Sequence, residues 1–337
     1  SPGVSPDLDF IKEAQASGAE IIGELEIAYR IGHGKYVAIT GTNGKTTTTT
    51  LVGEIYKAAG RKTYVVGNIG VAVISKALAA EDDSWLVTET SSFQLETTKD
   101  FQPEISAILN LTPDHMDRHK TMENYGKAKA AVFRNQTPEQ YCVINHDDEE
   151  CMKLAKDCRA KVVPFSRKTT LDFGVYVDGD TIIIKDEEGK ITEICRPVEL
   201  KIPGAHNLEN ALAACAIAFF GGIPAEVIAK VLREFNGVEH RLELCGTIDD
   251  IRFVNDSKGT NPDASIKAIE AMKENIILIA GGYDKDASFK EFVDAFDGRV
   301  KMLLLMGKTA TKIKDAAEKA GFTDSIILKD MEACVRE

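Results

Sequence analysis

The chain has 337 residues, 44% hydrophobic and 28% charged, which suits a soluble protein of two or three domains and excludes a small stapled scaffold or a disordered chain. Its formal net charge of −12 excludes an extended nucleic-acid-binding face but leaves room for a local basic pocket around a phosphorylated small molecule. No apolar run reaches about 18 residues and no basic-then-apolar leader is present, so neither a membrane span nor a secretory signal is expected, and a cytoplasmic location follows.

Residues 1–23 hold one helix and one short strand, too little to fold alone, and read as the remnant of a preceding domain and its linker. From Lys35 to Pro164, the β-rich runs "YVAIT", "TYVVG", "WLVTE", "ISAILN" and "YCVIN" alternate with helical patterns, which predicts a parallel α/β sheet. The strand-rich stretch from Phe173 to Ile202, with Asp-Gly and Glu-Gly turns, predicts a small antiparallel sheet flanking the main one. Helices resume at "NLENALAACAIAFF" and "PAEVIAKVLREF", closed near Gly221 and Gly237. "IRFVND", "NIILIAGG", "VKMLLLMG" and "SIILKD" then announce a second parallel α/β domain. The expected division is 1–23, a central domain over 24–238 and a last domain over 239–337, with both ends reading as cut. Seven cysteines (142, 151, 158, 195, 215, 245 and 334) never form C-x-x-C and read as reduced thiols rather than a disulfide frame or a zinc site.

"GTNGKTTTTT", residues 41–50, lies between the strand ending at Thr40 and a helix whose apolar stripe runs through Leu51 and Ile55. A glycine-rich turn there aims backbone N–H groups and a positive helix end at one point, which suits phosphate. Gly41 and Gly44 allow the tight backbone, Lys45 brings a mobile positive charge, and the Thr46 hydroxyl is suited to Mg²⁺. Isoleucine stands at 39, where the generic P-loop spacing has glycine, so a plain strand-to-helix turn is the alternative. Thr47 to Thr50 belong to the first turns of the helix behind the loop.

Glu89, Asp114 and His115 follow strand ends, where parallel sheets open their ligand crevice; a surface carboxylate is the bland reading of Glu89. His115 and His119 stand at i, i+4 as a zinc pair would, but Met116 occupies the place of the glutamate in H-E-x-x-H. On the helix expected over Met122–Arg134, Lys129 falls inside the apolar stripe of Tyr125, Ala128, Val132 and Phe133. A lysine forced inward is more often neutral and nucleophilic, whereas a snorkelling stem over apolar surface is the alternative. Asn68 suits a turn, and Asn207 suits the N-cap of the helix "NLENALAA". Asn261 before Pro262 suits a cap with proline in the first turn.

"TGTNGKTT" resembles the ATP loop of the Mur ligases and folylpolyglutamate synthetases, which join an amino acid to a carboxylate through an acyl phosphate. "GNIG", "ETSSFQLE", "LTPDHMDRH", "GAHNLENALAA", "EHR" and "NDSKGTN" are similar to the D-glutamate-adding branch of the Mur ligases. The resemblance runs from residue 1 to about 286 and implies a central P-loop-type, mostly parallel sheet domain followed by a Rossmann-like α/β domain. It implies an ATP-dependent ligase that adds D-glutamate to UDP-N-acetylmuramoyl-L-alanine, working as a monomer with no nucleic-acid partner. Gly41, Thr42, Asn43, Gly44, Lys45, Thr46 and Thr47 would cradle ATP, with Asn207 at the adenine and Arg241 and Asp256 as further nucleotide contacts.

By the same resemblance Thr46, Glu89, His115 and a carbamylated Lys129 would hold two Mg²⁺ ions, with Lys45, His115 and Lys129 as the catalytic set. Asn68 and Ser91 would face UDP-N-acetylmuramoyl-L-alanine, and Lys258, Thr260 and Lys285 D-glutamate, although each lysine alone reads as a solvated surface residue. The family's last motif, a serine and an aromatic residue that contact D-glutamate, has no counterpart before Glu337. A folylpolyglutamate synthetase is the rival chemistry, against which "ETSSFQLE" and "NDSKGTN" stand; a non-catalytic ATP-binding module is the rival of another class.

Overall fold

The computed structural model describes residues 2–273, 275–284 and 288–337. The chain divides into two compact units, one running to Ile202 and including Asn207–Asn236, the other made of Pro203–His206 and Gly237–Glu337.

The first unit is built on one sheet. Its strands are β1 (Lys35–Thr40), β2 (Thr63–Gly67), β3 (Trp85–Glu89), β4 (Ile105–Ile108), β5 (Tyr141–Asn145), β6 (Lys161–Ser166), β7 (Gly174–Asp178), β8 (Thr181–Lys185) and β9 (Ile191–Glu193). They lie in the order β2-β3-β1-β4-β5-β6-β7-β8-β9. β2 to β7 pair in parallel, and β7, β8 and β9 pair antiparallel. The expected antiparallel insert is therefore hydrogen-bonded onto the edge of the parallel sheet through β6 and β7 and continues it. β6 carries Pro164, which speaks against a strand in sequence; its pairing with β7 begins one residue later, at Phe165.

The central strands are buried almost throughout, as strands covered on both faces must be, and so read as continuous apolar runs. The helix Lys45–Ala58 packs on β1, β2 and β3, with the helix Ala225–Glu234 against it. Its Leu51, Val52, Ile55 and Tyr56 are fully buried. Each contributes roughly 1.5–3 kcal/mol of burial, which holds a helix whose threonines are mediocre helix formers. β1 lies between β3 and β4, so the carboxyl ends of three strands meet at the loop after Thr40.

The second unit has a parallel sheet of β12 (Ile276–Gly282), β13 (Val300–Gly307) and β14 (Ser325–Ile327), covered by helices including Pro262–Ala271 and Ala310–Lys319. "IRFVND" is not part of it. That run is β11 (Ile251–Asn255), paired antiparallel with β10 (Glu243–Ile248) as a separate ribbon. Asp249 and Asp250 between them both have positive φ, 48° and 65°, the backbone of a tight hairpin turn. That turn returns the chain at once, leaving no helical crossover. Asn261 caps the helix Pro262–Ala271, its side chain accepting from the Ala264 N–H at 2.8 Å.

Candidate functional site

Gly41 (φ 145°) and Gly44 (φ 83°) turn the chain between β1 and the helix Lys45–Ala58, conformations that side chains rarely adopt. A methyl group on Gly44 would lie 2.2 Å from Asn210 Oδ1. Asn210 also accepts from Thr48 Oγ1 at 3.3 Å and donates to Asn207 Oδ1 at 3.2 Å. Asn110, just past β4, holds the other side of the loop: its Oδ1 accepts from the Asn43 N–H at 2.8 Å, and its Nδ2 donates to the Asn43 carbonyl at 3.0 Å. Thr42 Oγ1 donates to the Thr112 carbonyl at 3.0 Å and takes a bond from Tyr125 OH at 3.2 Å. The cradle is thus pinned from three separate segments.

Lys45 Nζ folds onto its own loop, donating to the carbonyls of Gly41 at 3.0 Å and Thr42 at 2.8 Å. Thr46 Oγ1 donates to Glu89 Oε2 at 2.9 Å, and Asn68 Nδ2 donates to Glu89 Oε1 at 2.9 Å. Glu89 is 2% exposed, so the surface-carboxylate reading is wrong: the end of β3 turns this carboxylate inward. Ser91 caps the short helix Ser92–Leu95 in a capping box with Gln94, which gives it a structural task as well.

Lys129 is 2% exposed and its Nζ donates to the Gly41 carbonyl at 2.8 Å, lying 4.6 Å from the centre of the Tyr125 ring. The snorkelling alternative fails, because the ammonium end itself is enclosed. Burial, reinforced by the Lys45 ammonium, holds its pKa well below the usual lysine range, against the opposing pull of Asp114, Cys151 and Glu89. The helix carrying it ends at Ala130 and tightens to a 3₁₀ turn over Ala131–Phe133. His115 has a left-handed backbone (φ 55°) and its Nε2 lies 3.6 Å from Asp114 Oδ2. Lys45, Asn68, Ser91, Asp114, His115 and Lys129 together line one cavity of about 370 Å³.

The zinc pair is not formed. His119 Nε2 lies 3.0 Å from Ser92 Oγ and Nδ1 3.4 Å from Glu96, and among the described residues no group of three histidine, cysteine or acidic side chains could hold a metal. Asn207 does not cap its helix: the helix starts two residues earlier, at Ala205, and leaves Asn207 buried in the first turn. All seven cysteines are free. Arg241, Asp256, Lys258 and Thr260 lie in the second unit, where burial raises the Asp256 pKa against the Leu242 N–H and Arg241. Lys285 lies outside the described residues.

Residues 39–218 match the Mur ligase middle domain, and residues 240–337 match the Mur ligase glutamate ligase domain. The chain belongs to the Mur ligase family. Among its relatives, the UDP-N-acetylmuramoylalanine–D-glutamate ligase of Alkaliphilus oremlandii is 54% identical over 338 residues, covering 100% of this chain and 74% of the relative. The ligase of the same name from Clostridioides difficile is 51% identical, with 100% and 74% covered. The fold is shared with MurF from Acinetobacter baumannii, with a TM-score of 0.72 at 18% identity over 93% of this chain and 71% of that one.

Mg²⁺ is the metal the family implies, and the donors fit it. Thr46 and Glu89 offer hard oxygens side by side, the donor type Mg²⁺ takes. Asn110, Asn210 and Tyr125 are the functional neighbours missed in sequence. Their only signal is position, just past a strand end or on a helix facing the loop.

Proposed function

We infer that the protein is an ATP-dependent ligase adding D-glutamate to UDP-N-acetylmuramoyl-L-alanine, a step of peptidoglycan precursor synthesis. The observation that carries this reading is the single cavity bringing the phosphate loop's Lys45 together with Asn68, Ser91, His115 and Lys129.

Residues 41–47 bind the ATP phosphates through backbone N–H groups and the helix end. Lys45 exchanges the loop carbonyls it now holds for phosphate oxygens, so its charge meets the γ-phosphoryl group. The alanyl carboxylate attacks that group, ADP leaves, and the D-glutamate amine displaces phosphate from the acyl phosphate to give the amide. Asn68 and Ser91 face UDP-N-acetylmuramoyl-L-alanine and orient its carboxylate. Thr46 and Glu89 would hold Mg²⁺, which when bound would supply positive charge beside the phosphates.

Further to this we propose two Mg²⁺ ions, the second held by His115 and by a carbamate on Lys129. The buried, weakly basic amine supports the carbamate, since uncharged nitrogen is what reacts with CO₂. Asn207 serves the adenine, Arg241 and Asp256 the nucleotide, and Lys258, Thr260 and Lys285 D-glutamate, whose carboxylates need cationic partners. The protein works as a cytoplasmic monomer; among the described residues no helix is long and apolar enough to cross a membrane. The reading is tested by mass spectrometry of the product, formed only when ATP and both substrates are present. Glutamylation of a folate instead would overturn it. Lys129→Ala should abolish turnover, with partial recovery on adding short-chain carboxylates; full activity of the variant would remove the carbamate from the account.

A further inference from the structure

The helix Ser92–Leu95 and His115, which leads into the helix Met116–His119, line the cavity beside the phosphate loop, and each helix is a single turn. Helices this short have no stability of their own, so side chains must impose their placement. His119, 5% exposed, joins them. Its Nε2 lies 3.0 Å from Ser92 Oγ at the start of one helix, and its Nδ1 lies 3.4 Å from Glu96 Oε1 just beyond that helix's end. The Glu96 carboxylate accepts from Arg118 at 2.5 Å, and the Arg118 guanidinium lies 4.2 Å over the Phe93 ring. Phe93 stacks on His119 with ring centres 5.5 Å apart at 23° and meets His115 edge-on at 4.8 Å. Ser92, Phe93 and His115 all line the cavity.

We propose that His119 is a positioning residue for the ligase reaction, fixing the wall of Ser91, Phe93 and His115 against which the UDP-N-acetylmuramoyl-L-alanine carboxylate is aimed. Nε2 is hydrogen-bonded to the Ser92 hydroxyl, and Nδ1 faces the Glu96 carboxylate. One ring thereby links both ends of one short helix to the last residue of the other. Asn110 and Asn210 pin the phosphate loop without His119, which meets only the loop's third anchor, Tyr125, with ring centres 5.0 Å apart. Loss of His119 should therefore loosen one substrate's wall and spare the nucleotide's.

The inference rests on the ligase reading, and its test separates the two. In the full-length protein, His119→Ala should raise KM for UDP-N-acetylmuramoyl-L-alanine about ten- to a hundredfold while KM for ATP moves less than about threefold. His119→Gln, which keeps a hydrogen-bonding group for Ser92, should recover most of the loss, and Glu96→Gln should show the same selectivity more weakly. Without substrates, hydrogen exchange across residues 91–96 should quicken in the alanine variant and return toward wild type in the glutamine variant. Equal effects on both KM values, a glutamine variant as poor as alanine, or unchanged exchange would overturn the proposal. A wild-type protein that forms no product would sink the ligase reading instead, and the exchange contrast would still decide whether His119 holds the wall.

Discussion

Gly44→Ala isolates the cost of the loop geometry. Two terms add. Alanine at φ 83° costs about 1–2 kcal/mol, because its Cβ crowds the following carbonyl. The new methyl would also stand 2.2 Å from Asn210 Oδ1 and push away a side chain that takes a bond from Thr48 and gives one to Asn207. Losing those bonds adds about 1–2 kcal/mol. The sum is about 2–4 kcal/mol. At about 2–4 °C per kcal/mol for a unit of this size, the first unit's unfolding midpoint should fall by about 4–16 °C. The same displacement spoils the cradle, so ATP binding measured by calorimetry should weaken at least about tenfold. Gly44→Ala with Asn210→Ala removes the clash but not the backbone strain, so the double variant should be more stable than the two single losses added together. A Gly44→Ala protein that melts within about 1 °C of wild type and binds ATP unchanged would refute the account of this loop.

Other expectations follow from the same contacts. Asn110→Ala removes both bonds to the Asn43 backbone and should raise KM for ATP about ten- to thirtyfold, read by steady-state kinetics, while lowering the first unit's melting temperature by about 2–8 °C. Glu26 is fully buried and accepts from the backbone N–H groups of Lys99, Asp100 and Phe101 and from Arg30. Burial alone would raise its pKa, but those donors outweigh it and hold the carboxyl below its usual value of 4.5. Its contribution is present above that pH and is lost as pH falls through the lower folded value. Glu26→Gln should cost about 2–4 kcal/mol in urea melts at pH 7 and flatten the acid limb. His206, in the second unit, is held near pKa 4 rather than 6.5, first by burial and then by the Lys267 ammonium, with Asp263 opposing and Arg241 assisting. The unfolded chain then binds a proton that the folded one refuses, so stability is full above pH 6.5 and falls toward pH 4. The loss is about 1–3 kcal/mol once the ring's partial exposure is allowed for, and His206→Gln should remove that slope from the second unit's unfolding curve.

What could be read from the sequence depended on how local its cause was. The strand, glycine turn and helix around Gly41–Thr46 are written in neighbouring residues, and so is the Asn261 cap. Lys129 was legible because helical periodicity alone drives it inward. The Asn207 cap misled because the helix begins at Ala205, and terminal turns are the least firmly encoded part of a helix. β11 was assigned to the wrong sheet because Asp249-Asp250 is a weaker hairpin signal than Asn-Gly, and a β-rich run does not say what it pairs with. Asn110 and Asn210 reach the loop across long sequence separations, 67 residues for Asn110 and Asn43, and no periodicity records such contacts. The same holds for His119, whose spacing from His115 suggested a metal pair while its ring is taken up by Ser92 and Glu96.

The measurement closest to the central claim follows the carboxylate oxygens of UDP-N-acetylmuramoyl-L-alanine. If the alanyl carboxylate attacks ATP in this cavity, substrate labelled with heavy oxygen at that carboxylate will pass one labelled atom into the inorganic phosphate as the amide with D-glutamate forms. Mass spectrometry of the phosphate should find that label in proportion to product. Amide formation with unlabelled phosphate would contradict an acyl phosphate, and with it the assignment of Lys45 and the loop from Gly41 to Thr46 to phosphoryl transfer.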